Sequence, residues 1–245
     1  MDKVNDKPIV FQTWREKKFH KKIEKLRKKM IIENPKFQFE LFSDEEMDKS
    51  IEEYFDKEIS KSYFKLNHYA ARSDFWRYLM LHRFGGVYLD IDSLILKDLS
   101  PIFFKNKSML TLEPSKTDFI QWILMFRKDD KVLEKCIELI IENISRNKFK
   151  NNIMALTGPT LFTNAIKLVL DLNRELKEID VSNKDTLEKL NSLNYFYFSN
   201  KQHDEYFLFK HKYNHLLRAR RKAIFRNYKP DLEHWSQYQK INPIY

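Results

Sequence analysis

The sequence predicts an α/β sandwich with a mostly parallel central sheet, and three observations predict it. Short β-rich runs alternate with amphipathic helical stretches along the chain, which is the order of βαβ units. One apolar strand ends in two aspartates, and sheets of this kind bind ligands beyond the carboxyl ends of their strands. The 245 residues are 42% hydrophobic and 15% aromatic, which is enough to bury a substantial core.

Residues 69–96 are the stretch around which the other elements are predicted to assemble. Apolar residues recur at helical spacing from Ala70 to Leu81, and no Pro or Gly interrupts them before Gly85. Gly85 stands where a helix cap is expected, and Gly86 frees the chain to turn. Residues 87–91 are then predicted to form a short buried strand.

Asp90 and Asp92 lie two residues apart in this stretch, so on an extended backbone they point the same way. Two carboxylates at a strand end form a site for a hard divalent cation such as Mg²⁺ or Mn²⁺, which completes its shell with water and substrate phosphates. The alternative is a solvated turn, since a D-x-D triplet arises by chance in a chain this rich in Asp. Glycine usage favours the first interpretation, because the chain has only three glycines and two of them directly precede this strand.

The ordered motif that combines Asp74-x-x-Arg77 with Gly85-Gly86-x-Tyr88-x-Asp90-x-Asp92 resembles the signature of the DXD-containing glycosyltransferases. That family includes the yeast-type α-mannosyltransferases, and the glucosylating clostridial toxins are distant relatives. The close match covers about 30 residues. Weaker similarity near Trp14, Gly158 and Glu233 extends it over most of the chain. The resemblance implies a GT-A fold, here taken as a single domain over residues 1–245.

The resemblance also implies roles for the motif residues. Asp74 would hold a hydroxyl of the donor sugar, and Arg77 would reach the sugar or a phosphate. Tyr88 would lie beside the diphosphate. Asp90 would contact the ribose or the metal, and Asp92 would be the direct metal ligand. Asp74, Arg77 and Asp92 are therefore the candidate catalytic residues, and the alternative for the first two is a surface salt bridge between residues three apart on a helix.

Residues 9–14 are predicted to form the first strand of the sheet, ending in the pair Thr13 and Trp14. The resemblance places both residues at the donor, with Trp14 stacking on the nucleotide base. The alternative is that Trp14 is a core residue. The family usually has a histidine two residues before the Thr-Trp pair, and this chain has Phe11 there.

The C-terminal residues 233–238 are similar to a family segment that closes over the donor. Two alignments are open. One matches His234-Trp235-Ser236 directly, and the other matches Glu233, Ser236 and Tyr238, with Tyr in place of the family's Trp. Under the resemblance, Glu233 or His234 would reach the cation, while Ser236 and Tyr238 would contact the donor. A tail without function is the alternative.

Other local patterns predict the remaining elements. Helices are predicted at residues 17–32, after Ser43, at 132–144 and from the Thr157-Gly158-Pro159 turn to 170, and residues 183–192 are predicted to form a short helix or a loop. Strands are predicted at residues 37–42, 94–96, 109–112, 120–126 and 195–198. The single cysteine, Cys136, excludes an intrachain disulfide and is expected in the core. The redox compartment is left open, with the cytosol as the default.

Composition limits the partners. The formal net charge of +10 favours anionic ones, namely nucleotide phosphates, nucleic acid or a membrane surface, although a solubilising surface explains it equally well. Basic runs occupy residues 17–32 and 210–229. No signal peptide or apolar run of about 18 residues is present, so we expect a cytoplasmic protein without a transmembrane segment.

The resemblance implies a metal-dependent retaining hexosyltransferase. It would use Mn²⁺ or Mg²⁺, a UDP- or GDP-sugar donor, and a glycan, protein or lipid acceptor, with no nucleic acid expected. One alternative is a basic nucleic-acid-binding module with incidental carboxylates. The other is a degenerate sugar-nucleotide binder, suggested by the residues Phe11 and Tyr238, which depart from the family pattern.

Overall fold

The computed structural model describes residues 7–17, 21–172, 180–181, 183–208 and 235–245. The strands are β1 Ile9–Thr13, β2 Gln38–Phe42, β3 Gly86–Leu89, β4 Leu94–Ile95, β5 Ser108–Leu110, β6 Ile123–Phe126, β7 Tyr195–Tyr197 and β8 Phe207–Leu208. The helices are α1 Lys21–Glu33, α2 Asp44–Tyr54, α3 Lys57–Lys65, α4 Tyr69–Phe84, α5 Ser100–Phe103, α6 Lys131–Ser145, α7 Ile153–Leu156, α8 Pro159–Val169, α9 Lys184–Ser192, α10 Asn200–Tyr206 and α11 Trp235–Ile241.

Six strands form the central sheet in the order β2-β1-β3-β6-β5-β7. Strands β2, β1 and β3 pair in parallel, β6 runs antiparallel to both of its neighbours, and β5 pairs in parallel with β7. Five strands therefore run one way and one runs the other, which confirms the predicted mostly parallel sheet. Strands β4 and β8 pair separately as a small antiparallel sheet.

Helices cover both faces of the sheet, because successive strand residues alternate between two hydrophobic clusters. Phe11 and Tyr88 face a cluster built with α2, α3, α4, α6 and α8. Val10 and Val87 face the opposite cluster, built with α1, α5 and β4. Within the described ranges, every helix is too short or too polar to cross a lipid bilayer.

Helix α4 and its double-glycine stop form as predicted. His68 caps the start of α4, since its Nδ1 accepts the Ala70 N–H at 3.0 Å. The helix ends at Gly85, which has a φ of +66°. Gly86 has a φ of +114°, and a Cβ at this residue would lie 2.5 Å from the Ile9 carbonyl oxygen. No other residue type fits there, so the pair of glycines fixes how β3 enters the sheet beside β1.

Several predicted boundaries differ from the structure. The predicted strand 87–91 ends at Leu89, because the Ser93 N–H donates to the Asp90 carbonyl at 2.9 Å and closes a turn. The extended backbone expected for Asp90 and Asp92 is therefore wrong. Strand β4 belongs to the small sheet rather than continuing β3. The strands predicted at 109–112 and 120–126 are shorter, with an isolated bridge between Leu112 and Phe119.

The predicted helix ends agree more closely. Ser43 caps α2 through a capping box with Glu46, Asn183 caps α9, and the helix that carries the buried Cys136 spans Lys131–Ser145. The helix predicted at 17–32 is observed as Lys21–Glu33, and its residues 18–20 lie outside the described part of the chain. The basic run 210–229 lies outside it as well.

Candidate functional site

Arg77 is the centre of a polar network at the carboxyl ends of β1 and β3. Its side chain is 8% exposed and donates from Nη2 to Asp74 Oδ1 at 3.1 Å, while Nη1 lies 3.5 Å from Asp90 Oδ1. Nη1 also donates to the Gln121 carbonyl oxygen at 3.0 Å. The guanidinium carbon lies 4.2 Å from the centre of the Tyr88 ring, a cation–π contact. The expected pair Asp74–Arg77 is thus a buried ion pair and not a surface one.

Three hydroxyl groups form a second layer of this network. Thr13 Oγ1 lies 3.0 Å from Ser73 Oγ and 3.1 Å from the Tyr88 hydroxyl, and the latter two are 3.4 Å apart. The Tyr88 hydroxyl donates to Asp90 Oδ1 at 3.0 Å. Strand β1, helix α4 and strand β3 are thereby joined through one chain of hydrogen bonds that ends on the first aspartate of the D-x-D triplet.

Asp74 has both carboxylate oxygens engaged. Oδ1 pairs with Arg77, and Oδ2 accepts the Thr157 hydroxyl at 3.2 Å. Burial raises the pKa of Asp74 to about 7, since the positive charge of Arg77 and the hydrogen bonds from Thr157 and Gln121 offset only part of the lost hydration. The Asp74 side chain keeps 15% of its surface exposed, so a ligand can reach it.

This network contains two acidic side chains and one guanidinium. Burial disfavours the charged form of Arg77, but its neighbours Tyr88, Asp74 and Asp90 outweigh that effect and raise its pKa, so the guanidinium stays protonated. Burial also raises the pKa of Tyr88, which stays a neutral donor. One guanidinium therefore serves two carboxylates, and a ligand that brings hydroxyl donors or a cation would complete the site.

Asp90 and Asp92 flank a turn beyond β3. The Asp90 side chain is 27% exposed and Asp92 is also partly exposed. In the described residues no three His, Cys, Asp or Glu side chains come together as a preformed metal cage. Two accessible carboxylates nevertheless fit Mg²⁺ or Mn²⁺, which bind through one or two carboxylates plus water and phosphate oxygens. Ser93 Oγ, beside Asp92, is buried and has no hydrogen-bond partner within the described part of the molecule.

Trp14 follows β1 directly, and its N–H group on the backbone donates to the Phe42 carbonyl at 3.0 Å. Its side chain is partly buried. Phe11, which stands in place of the family's histidine, is 1% exposed and packs against Trp76 and Phe84 at ring-centre distances of 5.9 and 6.5 Å. This substitution therefore affects the core beneath the site rather than the site's polar network.

The C-terminal segment is held on the α7 side of the site. Gln239 Oε1 accepts the Ile153 N–H at 3.0 Å, and the Ile244 N–H donates to the Lys150 carbonyl at 2.7 Å. The ring of Tyr238 lies 4.8 Å from the His68 ring, at the start of α4, and not in the Arg77 network. Ser236 lies two residues before Tyr238 and is partly buried. Glu233 and His234 lie outside the described residues.

The structure therefore brings together five residues that the resemblance assigned to the donor site, namely Thr13, Asp74, Arg77, Tyr88 and Asp90. It adds three residues that carried no assigned role, namely Ser73, Gln121 and Thr157. Thr157 belongs to the Thr-Gly-Pro turn, where the sequence showed only weaker similarity to the family and gave no role to this threonine. Gln121 has no local signal, because its contacts are with residues 36 and 44 positions away.

Comparison with known proteins agrees with the motif. Residues 20–109 match the family described as "Glycosyltransferase sugar-binding region containing DXD motif". The chain is similar to the initiation-specific alpha-1,6-mannosyltransferase of Candida albicans, with 27% identity over 64% of this chain and 51% of that protein. It is also similar to Toxin Afp18 of Yersinia ruckeri, with 31% identity over 40% of this chain and 5% of the toxin. The chain thus spans about half the length of the yeast mannosyltransferase.

A solved structure, the PaToxG glycosyltransferase, is similar in fold. The two superpose with a TM-score of 0.55 at 18% identity, over 95% of this chain and 83% of the other. Together with the sheet order, this confirms the predicted α/β fold of GT-A type. The matched family and relatives also confirm the predicted resemblance to the DXD-containing glycosyltransferases.

Proposed function

We propose that this chain transfers a hexose from a nucleoside-diphosphate sugar to an acceptor hydroxyl and retains the anomeric configuration. The match of residues 20–109 to the DXD sugar-binding family supports this proposal. We also propose that residues 1–245 act as one domain. The observation that carries the proposal is the buried Arg77, which joins Asp74 and Asp90 at the carboxyl ends of the parallel strands. Arranged in this way, two acids and a cation suit a ligand that has both hydroxyl and phosphate groups.

Asp74 is the group we assign to the donor sugar. A carboxylate with both oxygens fixed accepts hydrogen bonds from sugar hydroxyls in one orientation only, which places the anomeric carbon relative to the diphosphate. Arg77 holds Asp74 and adds positive charge near the phosphates. Its contact with the Tyr88 ring and with the Gln121 carbonyl keeps the guanidinium in place before the donor arrives.

Asp92 and Asp90 are the residues we assign to a divalent cation, Mn²⁺ or Mg²⁺, with Glu233 or His234 as a further ligand. When bound, that cation supplies positive charge to the leaving diphosphate. Tyr88 orients Asp90, because its hydroxyl donates a hydrogen bond to Asp90 Oδ1 at 3.0 Å. Thr13 and Ser73 fix the Tyr88 hydroxyl in turn.

Trp14 and the C-terminal segment complete the proposed donor site. Trp14 would stack on the nucleotide base, since it emerges from β1 one residue after Thr13. Ser236 and Tyr238 would contact the donor phosphates when the tail closes. Tyr238 packs against His68 in the structure, so a contact with the donor would follow a movement of the tail on donor binding.

A thermal-shift panel tests this function directly. The probes are UDP, GDP, UDP-glucose, UDP-galactose, UDP-N-acetylglucosamine and GDP-mannose, each with Mn²⁺ or with EDTA. We expect one nucleotide series to raise Tm by roughly 5 °C at saturating concentration, only with the metal present. Release of the nucleoside diphosphate then identifies the sugar that is turned over. Equal Tm values for all probes, with no diphosphate released from any sugar, would exclude the proposed function.

A further inference from the structure

The Thr-Gly-Pro turn delivers one hydroxyl group to the candidate site. Thr157 is fully buried, and its Oγ1 donates to Asp74 Oδ2 at 3.2 Å. The hydroxyl has a single proton, and its other acceptor, the Ile153 carbonyl, is farther away at 3.4 Å. Since hydrogen bonds to charged acceptors are the stronger ones, the Asp74 carboxylate is the partner that this proton favours.

The turn itself is built to hold Thr157 in one place. Its carbonyl oxygen accepts the Tyr78 hydroxyl at 3.0 Å and the Gln121 side-chain amide at 3.3 Å. A Cβ on Gly158 would lie 2.9 Å from the Met154 Cα, so only glycine allows α7 to approach the turn this closely. Pro159 then begins α8. Two other elements, α4 and the residues before β6, therefore anchor the turn through its carbonyl.

Gln121 forms a second connection, besides the Thr157 hydroxyl, between this turn and the Asp74–Arg77 ion pair. Its backbone carbonyl accepts the Arg77 guanidinium at 3.0 Å, while its side-chain amide holds the Thr157 carbonyl. Asp74 is thus fixed from both sides, by Arg77 on Oδ1 and by Thr157 on Oδ2. The plane of the carboxylate, and with it the direction of the lone pairs offered to a ligand, depends on both contacts.

We propose that Thr157 is a positioning residue, which orients the Asp74 carboxylate toward the sugar of a nucleotide-sugar donor. This inference rests on the proposed function and adds a residue outside the D-x-x-R and D-x-D motifs. Its hydroxyl acts on the donor through Asp74, so removing that hydroxyl affects binding of the sugar half of the donor and leaves binding of the nucleotide half unaffected. That separation distinguishes a positioning role from a general structural one.

Thr163 provides a matched control on the same side of the sheet. It is 4% exposed, lies six residues later in α8, and its Oγ1 accepts the Phe119 N–H at 2.8 Å. Replacing either threonine by valine removes one buried hydroxyl and one hydrogen bond while preserving shape. Only Thr157 contacts Asp74, so a difference between the two variants reports on that contact.

The experiment measures the affinity of the full chain with Mn²⁺ for two probes, the nucleotide sugar that the wild type binds and the corresponding diphosphate. We expect Thr157→Val to weaken sugar-nucleotide binding about tenfold or more and to change diphosphate binding less than about twofold. Thr157→Ser should restore binding to within about threefold, and Thr163→Val should bind like the wild type. In an Asp74→Asn background, Thr157→Val should add almost nothing.

Two results would overturn the inference while the proposed function stands. One is a wild-type affinity for the sugar nucleotide in a folded Thr157→Val variant, and the other is an equal loss for both probes. If Thr157→Val does not fold, Thr157→Ser and Thr157→Ala decide the matter, because only the serine variant should bind the sugar nucleotide well. If the wild type itself binds and hydrolyses no sugar nucleotide, the proposed function fails, and this inference fails with it.

Discussion

Two buried carboxylates lie at opposite ends of the central sheet, and their partners differ in kind. Asp130 caps α6 below β5 and β6, where it accepts the Ser108 hydroxyl at 2.6 Å, the Tyr195 hydroxyl at 2.7 Å and the Val132 N–H at 2.9 Å. Asp74 lies at the other end, where a cation, Arg77, pairs with it and the side chains of Thr157 and Gln121 donate hydrogen bonds to it. Burial raises the pKa of both acids.

The difference separates a structural acid from a binding acid. The described partners of Asp130 are neutral donors from three elements, so its hydrogen bonds fasten α6 to the sheet. Asp74 shares its arginine with Asp90 and keeps part of its surface open to solvent. Satisfied neutral contacts contribute to folding, whereas a shared cation beside exposed acids leaves room for a ligand.

The largest effect is expected at the open end of the sheet. Asp92→Asn removes a proposed metal ligand and should lower metal-dependent donor hydrolysis at least about 100-fold, with Tm almost unchanged. Diphosphate release, measured across a Mn²⁺ titration, checks this. Asp98→Asn is the control, since Asp98 is an exposed acid six residues later whose carboxylate accepts the Ser100 N–H and the Ser100 hydroxyl. Equal activity of the Asp92 variant and the control would show that Asp92 is not a ligand of a catalytic metal.

Asp74→Asn is expected to have the next largest effect. It removes the charge opposite Arg77 and should lower donor kcat/KM of the folded protein by roughly 30- to 100-fold, while its effect on the free energy of unfolding depends on pH. Steady-state kinetics and urea unfolding of the same preparation measure both quantities. The matched control is Asp48→Asn. Asp48 pairs at 3.1 Å with Arg72, which lies on α4 as Asp74 does, but this ion pair is outside the Arg77 network. A comparable activity loss in both variants would contradict the binding role of Asp74.

Asp130→Ala should give the opposite result. The variant loses the cap of α6 and leaves the Ser108 and Tyr195 hydroxyls buried without an acceptor, so the unfolding free energy should fall by about 3 kcal/mol. Its folded fraction should hydrolyse the donor at the wild-type rate. Urea titration followed by an assay at 15 °C separates the two effects. A stable but inactive Asp130 variant would show that the two acids do not differ in the way described.

The last prediction concerns pH, which changes the stability contribution of Asp74. The pKa of Asp74 is about 7 in the folded protein and 3.8 without burial, so its contribution to stability is complete below pH 3.8 and is lost as the pH rises toward 7. Asparagine does not ionise. The unfolding free energy of the wild type relative to Asp74→Asn should therefore fall between about pH 4 and pH 7 and then level off. Urea titrations of both proteins at pH 4.5, 6.0 and 7.5 measure this difference. If the difference in unfolding free energy is the same at all three pH values, the pKa of Asp74 is not raised.

Local sequence predicted the helix, the double glycine and the strand of residues 69–89, because their signals all lie within a few residues. Helical spacing, a capping glycine and a short apolar run are properties of a single segment. The same local approach was wrong about the aspartates. It extended the strand through Asp90, whereas a backbone hydrogen bond from Ser93 turns the chain there.

The contacts that define the site were not predictable from local patterns. Arg77 meets Gln121 across 44 residues, and Asp74 meets Thr157 across 83. Asp130 likewise depends on Tyr195, 65 residues away. These pairs form only when the sheet brings distant segments together, so periodicity and capping rules contain no information about them. The family resemblance identified Asp74 and Arg77, but it gave no role to Gln121 or to the Thr157 hydroxyl.

The most direct test of the central claim is a crystal structure of this chain with Mn²⁺ and the nucleotide sugar that it binds. The account predicts metal density at the Asp92 carboxylate bridging to the diphosphate, with a sugar hydroxyl within hydrogen-bonding distance of Asp74. A nucleotide bound elsewhere, or a sugar that makes no contact with Asp74 while Arg77 still pairs with that acid, would contradict it.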